Sequence, residues 1–98
     1  MSVLMTMRMK ADADKVESQD RSAITAVLDK AKQHGLISHH FYAHDDEVMV
    51  VDEWPDQDSF ERFFASAPEI ADIMARADAQ PPEVTFWRHL DTGDDYPD

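Results

Sequence analysis

The chain opens on strict alternation. In SVLMTMRMK (residues 2–10), Val3, Met5, Met7 and Met9 fall on one side of a period-2 repeat, and Leu4, Thr6, Arg8 and Lys10 fall on the other. That pattern predicts a β-strand. ADAD (11–14) reads as a turn that supplies a helix N-cap in Asp12 or Asp14. From Lys15 to His34 the spacing changes to three and four. Val16, Asp20, Ala23, Ile24, Val27, Leu28 and Ala31 share one stripe, which predicts an amphipathic helix stopped by Gly35. LISHHFYAH (36–44) is a second strand, Asp45, Asp46 and Glu47 a turn, and VMVVDEW (48–54) a third strand. So short a gap permits only an antiparallel hairpin. Val48, Met49, Val50 and Val51 run without a polar break, so the third strand is expected to be buried on both faces.

Pro55 and Asp56 open another helix with Asp56 as N-cap, and Phe60, Phe63 and Phe64 gather on one side of it. Pro68 interrupts the helix, because the residue before a proline avoids the helical region. EIADIMARA (69–77) resumes it with Ile70, Ile73 and Met74 inward. EVTFWRHL (83–90) alternates again as a last strand, and DTGDDYPD (91–98) is expected to be a loose acidic tail. The order β-α-β-β-α-β over a single domain, residues 1–98, predicts an α+β, ferredoxin-like fold. Its four-stranded antiparallel sheet carries both helices on one face. Something else must then cover the other face of the third strand.

Composition narrows the partners. A chain of 98 residues buries only roughly two thirds of the surface it exposes when unfolded, so self-association is expected. The absence of cysteine excludes disulfides, thiolate zinc sites and cysteine nucleophiles. The net charge is −12, and residues 45–98 hold sixteen acidic side chains against three basic ones. Nucleic acid and anionic membrane surfaces are therefore not expected as partners. No apolar run approaches the ~18 residues of a membrane span. The N-terminus lacks the basic head and apolar stretch of a signal peptide, so a soluble cytoplasmic protein is expected.

The candidate chemistry centres on ISHHFYAHDDE (37–47). On an extended strand His40, Tyr42 and His44 share a face and His39 lies on the other. His40 and His44 are then about 13 Å apart, too far to share an ion through metal–nitrogen bonds of about 2.0–2.1 Å. No metal site is expected, and the methionines of the first strand read as packing rather than a copper(I) site. Either His40 with Tyr42 or His39 with Phe41 turns toward a pocket between sheet and helices, so both histidines are candidate acid–base residues. Trp54 and Trp87 are candidate walls of a flat aromatic pocket, or simply structural. Arg8 is a candidate for holding a phenolate or carboxylate, or is paired with an acid at the sheet surface. Asp52 falls in a buried region and must be paired or have a raised pKa; a structural ion pair, with Arg8 as a candidate partner, is expected ahead of a catalytic role.

The element order, together with VMVVDEWPDQDSFERFF (48–64), resembles the antibiotic biosynthesis monooxygenase (ABM) family of dimeric α+β barrels. The features that carry the resemblance are the acid-x-Trp of Asp52 and Trp54, the cap two positions later, the aromatic helix of Phe60, Phe63 and Phe64, the proline break and the final strand. It spans residues 3–90. The resemblance implies a homodimer in which two sheets pack face to face and cover the helix-free side. It also implies a pocket in each protomer for a small apolar or aromatic molecule, with Trp54, Tyr42, Phe60, Phe63, Phe64, Met74, Trp87 and Arg8 as candidate substrate-binding residues and no cofactor. The positions that serve haem degradation in one branch of the family fall on Met7, Phe63 and Ile73, and none matches. Those that surround a polyketide in another branch fall on Val50, Trp54, Phe60 and Met74, of which Trp54 alone matches. Three readings follow. The first is a small oxygenase in which His39 or His40 deprotonates an aromatic or polyketide-like substrate that then reacts directly with dioxygen. The second is a non-catalytic dimer that binds such a molecule. The third is an isomerase or cyclase of the same fold working by proton transfer alone.

Overall fold

The computed structural model describes residues 1–97. Four strands, β1 (Val3–Lys10), β2 (Ser38–His44), β3 (Glu47–Trp54) and β4 (Glu83–Arg88), form one antiparallel sheet in the order β2-β3-β1-β4. The two central strands are the most strongly patterned in sequence. On β1 the methionines at 5, 7 and 9 are buried while Leu4, Arg8 and Lys10 are exposed. On β3 Val48, Val50, Asp52 and Trp54 are buried. The alternate residues Glu47, Met49, Val51 and Glu53 are only half-buried. The continuous apolar run thus does not bury both faces of β3 within one chain: helices cover one side and leave the other open.

Four helices lie on the covered side: α1 (Ala13–Glu17), α2 (Arg21–Gln33), α3 (Gln57–Ser66) and α4 (Glu69–Arg76). The single helix expected from Lys15 to His34 is broken. Asp12 caps α1, and Asp20, placed in the apolar stripe by spacing alone, caps α2 instead. Its carboxylate accepts from the Ser22 amide at 3.0 Å and from the Ser22 hydroxyl at 2.8 Å. An aspartate that satisfies a free amide starts a helix more favourably than it continues one. α2 ends at Gly35, whose φ is +98° and whose Cα faces Pro55 so closely that a Cβ would meet the proline ring at 3.0 Å. Glycine is required there by conformation and by space.

Asp56 caps α3 as expected, accepting from the Ser59 amide at 2.7 Å. That bond, with the Ser59 hydroxyl, holds the Asp56 carboxyl below its ordinary range. A depressed carboxylate stabilises the fold above its unfolded pKa and loses that contribution as pH falls through the folded one. Asp56→Ala therefore lowers the melting temperature at neutral pH, and the gap to the wild type closes on acidification. Thermal melts from pH 7 down to pH 3 check this. Pro68 separates α3 from α4, and Lys30 of α2 ties the junction by donating to the Ser66 carbonyl and to Glu69, each at 2.9 Å.

The centre of the core is aromatic. Trp54 is completely buried, stacks on Phe63 with ring centroids 5.4 Å apart and meets Phe60 edge-on at 5.7 Å. Phe86 of β4 closes the cluster against Phe60 at 5.6 Å. Of the expected loose tail, residues 91–97 form no helix or strand, and Asp98 lies outside the described residues. Among the described residues no helix is long and apolar enough to cross a membrane.

Candidate functional site

The hairpin register decides which histidine faces the helices. The β2–β3 turn leaves only Asp45 and Asp46 unpaired, with His44 opposite Glu47 and Ala43 opposite Val48. Asp45 takes a left-handed φ of 52°, which aspartate tolerates better than most residues. Carrying that register along the strands puts His39 opposite Asp52 and Phe41 opposite Val50. Val50 and Asp52 are on the covered side, so His39 and Phe41 join them, and His40 and Tyr42 point the other way.

His39 and Asp52 are bonded. Nδ1 of His39 is 2.7 Å from Oδ1 of Asp52, and Oδ2 of Asp52 accepts from Nε1 of Trp54 at 3.2 Å. Asp52 is 5% exposed. A carboxylate buried that deeply needs hydrogen bonds on both oxygens, and here it has one on each. The expected pair with Arg8 does not form. Arg8 lies on the opposite face of the sheet, because even positions of β1 point away from the helices, and its Nε bonds Glu47 at 2.6 Å. Since an ionised carboxylate can only accept, Nδ1 of His39 carries the proton. Nε2 is then left with its lone pair and makes no hydrogen bond among the described residues. The ring is also fixed from the side, meeting Phe41 edge-on at 5.0 Å.

His39 and Asp52 lie in the wall of a cavity of about 120 Å³ between the sheet and the helices. Met5, Met7, Met9, Val48 and Val50 form its floor, and Val27, Leu28, Ile70, Ile73 and Met74 of α2 and α4 its roof. Phe60, Phe63 and Phe64 close it on the α3 side. Phe41 and Phe64 both line the cavity and are exposed, so they mark where it meets solvent. An imidazole bonded through Nδ1 to a buried carboxylate, with no hydrogen bond on Nε2 and set in the wall of an apolar space, can in its neutral form accept a proton from a bound molecule.

The residues singled out from sequence are divided by the sheet. His39, Phe60, Phe63, Phe64 and Met74 are brought together around the cavity. Trp54 lies behind this wall, sealed in the core with its N–H on Asp52. His40, Tyr42, Arg8 and Trp87 are placed on the helix-free face, outside the cavity, which corrects their assignment to its walls. The cause is the period of two: each is offset by one residue from an inward-facing neighbour. Trp87 donates its Nε1–H to the Thr6 hydroxyl at 2.9 Å and is 52% exposed. Reasoning from sequence missed Asp52 as the partner of His39. A two-residue turn would have revealed the pairing, but a turn of three residues shifts every partner by one.

No protein-family model matches the chain. No curated protein matches it in sequence. Solved structures do match it in fold. SnoaB, a cofactor-independent oxygenase from Streptomyces nogalater, is 16% identical and superposes with a TM-score of 0.66 over 99% of this chain and 98% of that one. A monooxygenase from the gene ActVA-Orf6 of Streptomyces coelicolor, solved with nanaomycin D, is 16% identical with a TM-score of 0.66 over 93% and 89% of the two chains. Rv0793 from Mycobacterium tuberculosis is 20% identical with a TM-score of 0.55 over 93% and 97%. Structures described as antibiotic biosynthesis monooxygenases are among the further matches. At these identities the likeness establishes the fold: a ferredoxin-like α+β chain of the kind found in ABM structures.

Proposed function

We propose that the protein is an ABM-like oxygenase that oxidises a small electron-rich aromatic molecule without a cofactor, with His39 as the base. The observation that supports this best is the 2.7 Å bond from His39 to the buried Asp52 at the wall of an apolar cavity. Nε2 of His39 takes the hydroxyl proton of a bound phenol. The phenolate is electron-rich enough to pass an electron to dioxygen, and the two radicals combine at a ring carbon to give a hydroperoxide. The proton held on His39 goes to the peroxide. His39 then takes the hydrogen of that ring carbon, the O–O bond breaks, and the distal hydroxide leaves as water with that proton while the carbon becomes a carbonyl and the ring a quinone. The balance is phenol plus dioxygen to quinone plus water, so the substrate supplies all four electrons. Asp52 offsets the positive charge that His39 carries between proton transfers. The apolar walls keep water away from the reactive intermediates.

Oxygen uptake tests this reading. The wild type consumes dioxygen with an electron-rich phenol and releases the quinone in equal amount. Binding without uptake supports a non-catalytic carrier instead, and product formation under argon supports proton transfer alone.

We propose further that the working unit is a homodimer joined through the helix-free sheet face. Leu4, Tyr42 and Trp87 are 40%, 54% and 52% exposed there, beside the half-buried Met49 and Val51. Large exposed apolar side chains gathered on one sheet face, with the Arg8–Glu47 pair beside them, suit an interaction surface. The wild type is expected to run as a dimer in light scattering, and Tyr42→Glu with Trp87→Glu as a folded monomer. A wild-type monomer contradicts the assignment.

A further inference from the structure

We infer that the substrate is a single-ring, uncharged molecule with one ionisable hydroxyl, which deepens the oxygenase reading above and rests on it. Size sets the first limit. Pockets that enclose drug-sized ligands run from about 300 to 1,000 Å³, whereas a dry cavity of about 150 Å³ accommodates one benzene ring. At about 120 Å³, the cavity takes no more than one ring, with any substituent reaching toward the opening at Phe41 and Phe64, and no fused polycycle.

Charge sets the second limit. Among the described residues, His39 and Asp52 are the only polar side chains in the cavity wall, and no lysine or arginine reaches it. A carboxylate or phosphate on the substrate would lose its hydration with no cation to receive it, and Asp52 would repel it. The one basic residue considered for that task, Arg8, is on the other side of the sheet and bonded to Glu47. A phenolic hydroxyl is neutral at pH 7, its pKa being about 10 like that of tyrosine. It therefore enters uncharged and ionises only against His39.

Polar capacity sets the third limit. Both oxygens of Asp52 are already bonded. That leaves Nε2 of His39 as the one side-chain nitrogen on the wall without a hydrogen bond among the described residues, so one hydroxyl can be both bound and ionised there, and a second has only the remaining lone pairs of Asp52 to reach.

The test uses the wild-type protein under argon, so that binding is read apart from turnover. Phenol, benzoate and a phenanthrol are titrated in turn, following the thermal midpoint and the His39 ring signals by NMR. Phenol is expected to raise the midpoint, move the His39 signals and bind about tenfold or more tightly than either of the others. Val27→Phe, which fills the roof, removes the response to phenol in a folded protein. Equal or tighter binding of phenanthrol or benzoate overturns the inference, as does an absence of phenol binding. Failure of the oxygenase reading is distinguishable, because it leaves phenol bound with no oxygen consumed once air is admitted.

Discussion

Replacing His39 with glutamine lowers turnover by about 10²–10⁴-fold, the usual contribution of a general base, and leaves the fold intact. His39 is only partly buried and its side chain makes one hydrogen bond, to Asp52. Glutamine can keep that bond through its amide N–H but has no basic nitrogen to offer the cavity. Asp52→Asn supplies the sharper version. The asparagine oxygen still accepts from Trp54, and its amide then points an N–H at Nδ1 of His39. The histidine must become the acceptor there, so its proton moves to Nε2 and the lone pair facing the cavity is lost. Turnover falls by about as much as in His39→Gln, although every buried polar atom still has a partner. His40→Gln keeps wild-type turnover, since His40 lies on the other face of the sheet. Steady-state rates on the four proteins, with circular dichroism as the folding control, decide this. Equal rates in wild type and His39→Gln would remove His39 from the chemistry.

Trp54→Ala destabilises the protein by about 3–5 kcal/mol, the range for truncating a buried aromatic. Trp54 is completely buried, touches Phe60 and Phe63, and holds one oxygen of Asp52. Stripping that oxygen of its donor adds about 1–3 kcal/mol. Domains of this size are stable by only about 5–15 kcal/mol, so the variant is at or near unfolding at room temperature. Trp54→Phe separates the two contributions. It keeps an aromatic ring against Phe63 and removes the N–H with part of the indole's volume, so its loss is the smaller one. Urea denaturation of both variants measures the difference. If Trp54→Phe proves as damaging as Trp54→Ala, the bond to Asp52 rather than the aromatic stack supports this corner of the core.

The fold was legible in the sequence because its central strands alternate cleanly and its breaks are marked. Met5, Met7 and Met9 state their face outright, and Asp56, Pro68 and Gly35 end or begin elements for local chemical reasons. Asp20 shows where spacing misleads: it fits a helical stripe and acts as a cap, and only the competition for the Ser22 amide tells the two apart. The site was legible only in part. Which of His39 and His40 turns inward depends on whether the hairpin turn holds two residues or three, and Glu47 is compatible with either. Charge complementarity suggested Arg8 for Asp52, but strand alternation sets them on opposite faces. Trp54 reads as a pocket wall by residue type, yet its place at the end of β3 seals it under α3. The volume of the cavity depends on how far α2 and α4 stand from the sheet, and no local pattern encodes that distance.

The chemistry proposed for the site depends on Asp52 holding His39 as a neutral base with its lone pair toward the cavity. Long-range ¹⁵N–¹H NMR of the His39 ring in the wild-type protein tests this directly, whatever the substrate proves to be. In the neutral ring a protonated Nδ1 and a bare Nε2 are expected, exchanging roles in Asp52→Asn. A wild-type His39 with its proton on Nε2, or a tautomer indifferent to Asp52→Asn, would contradict it.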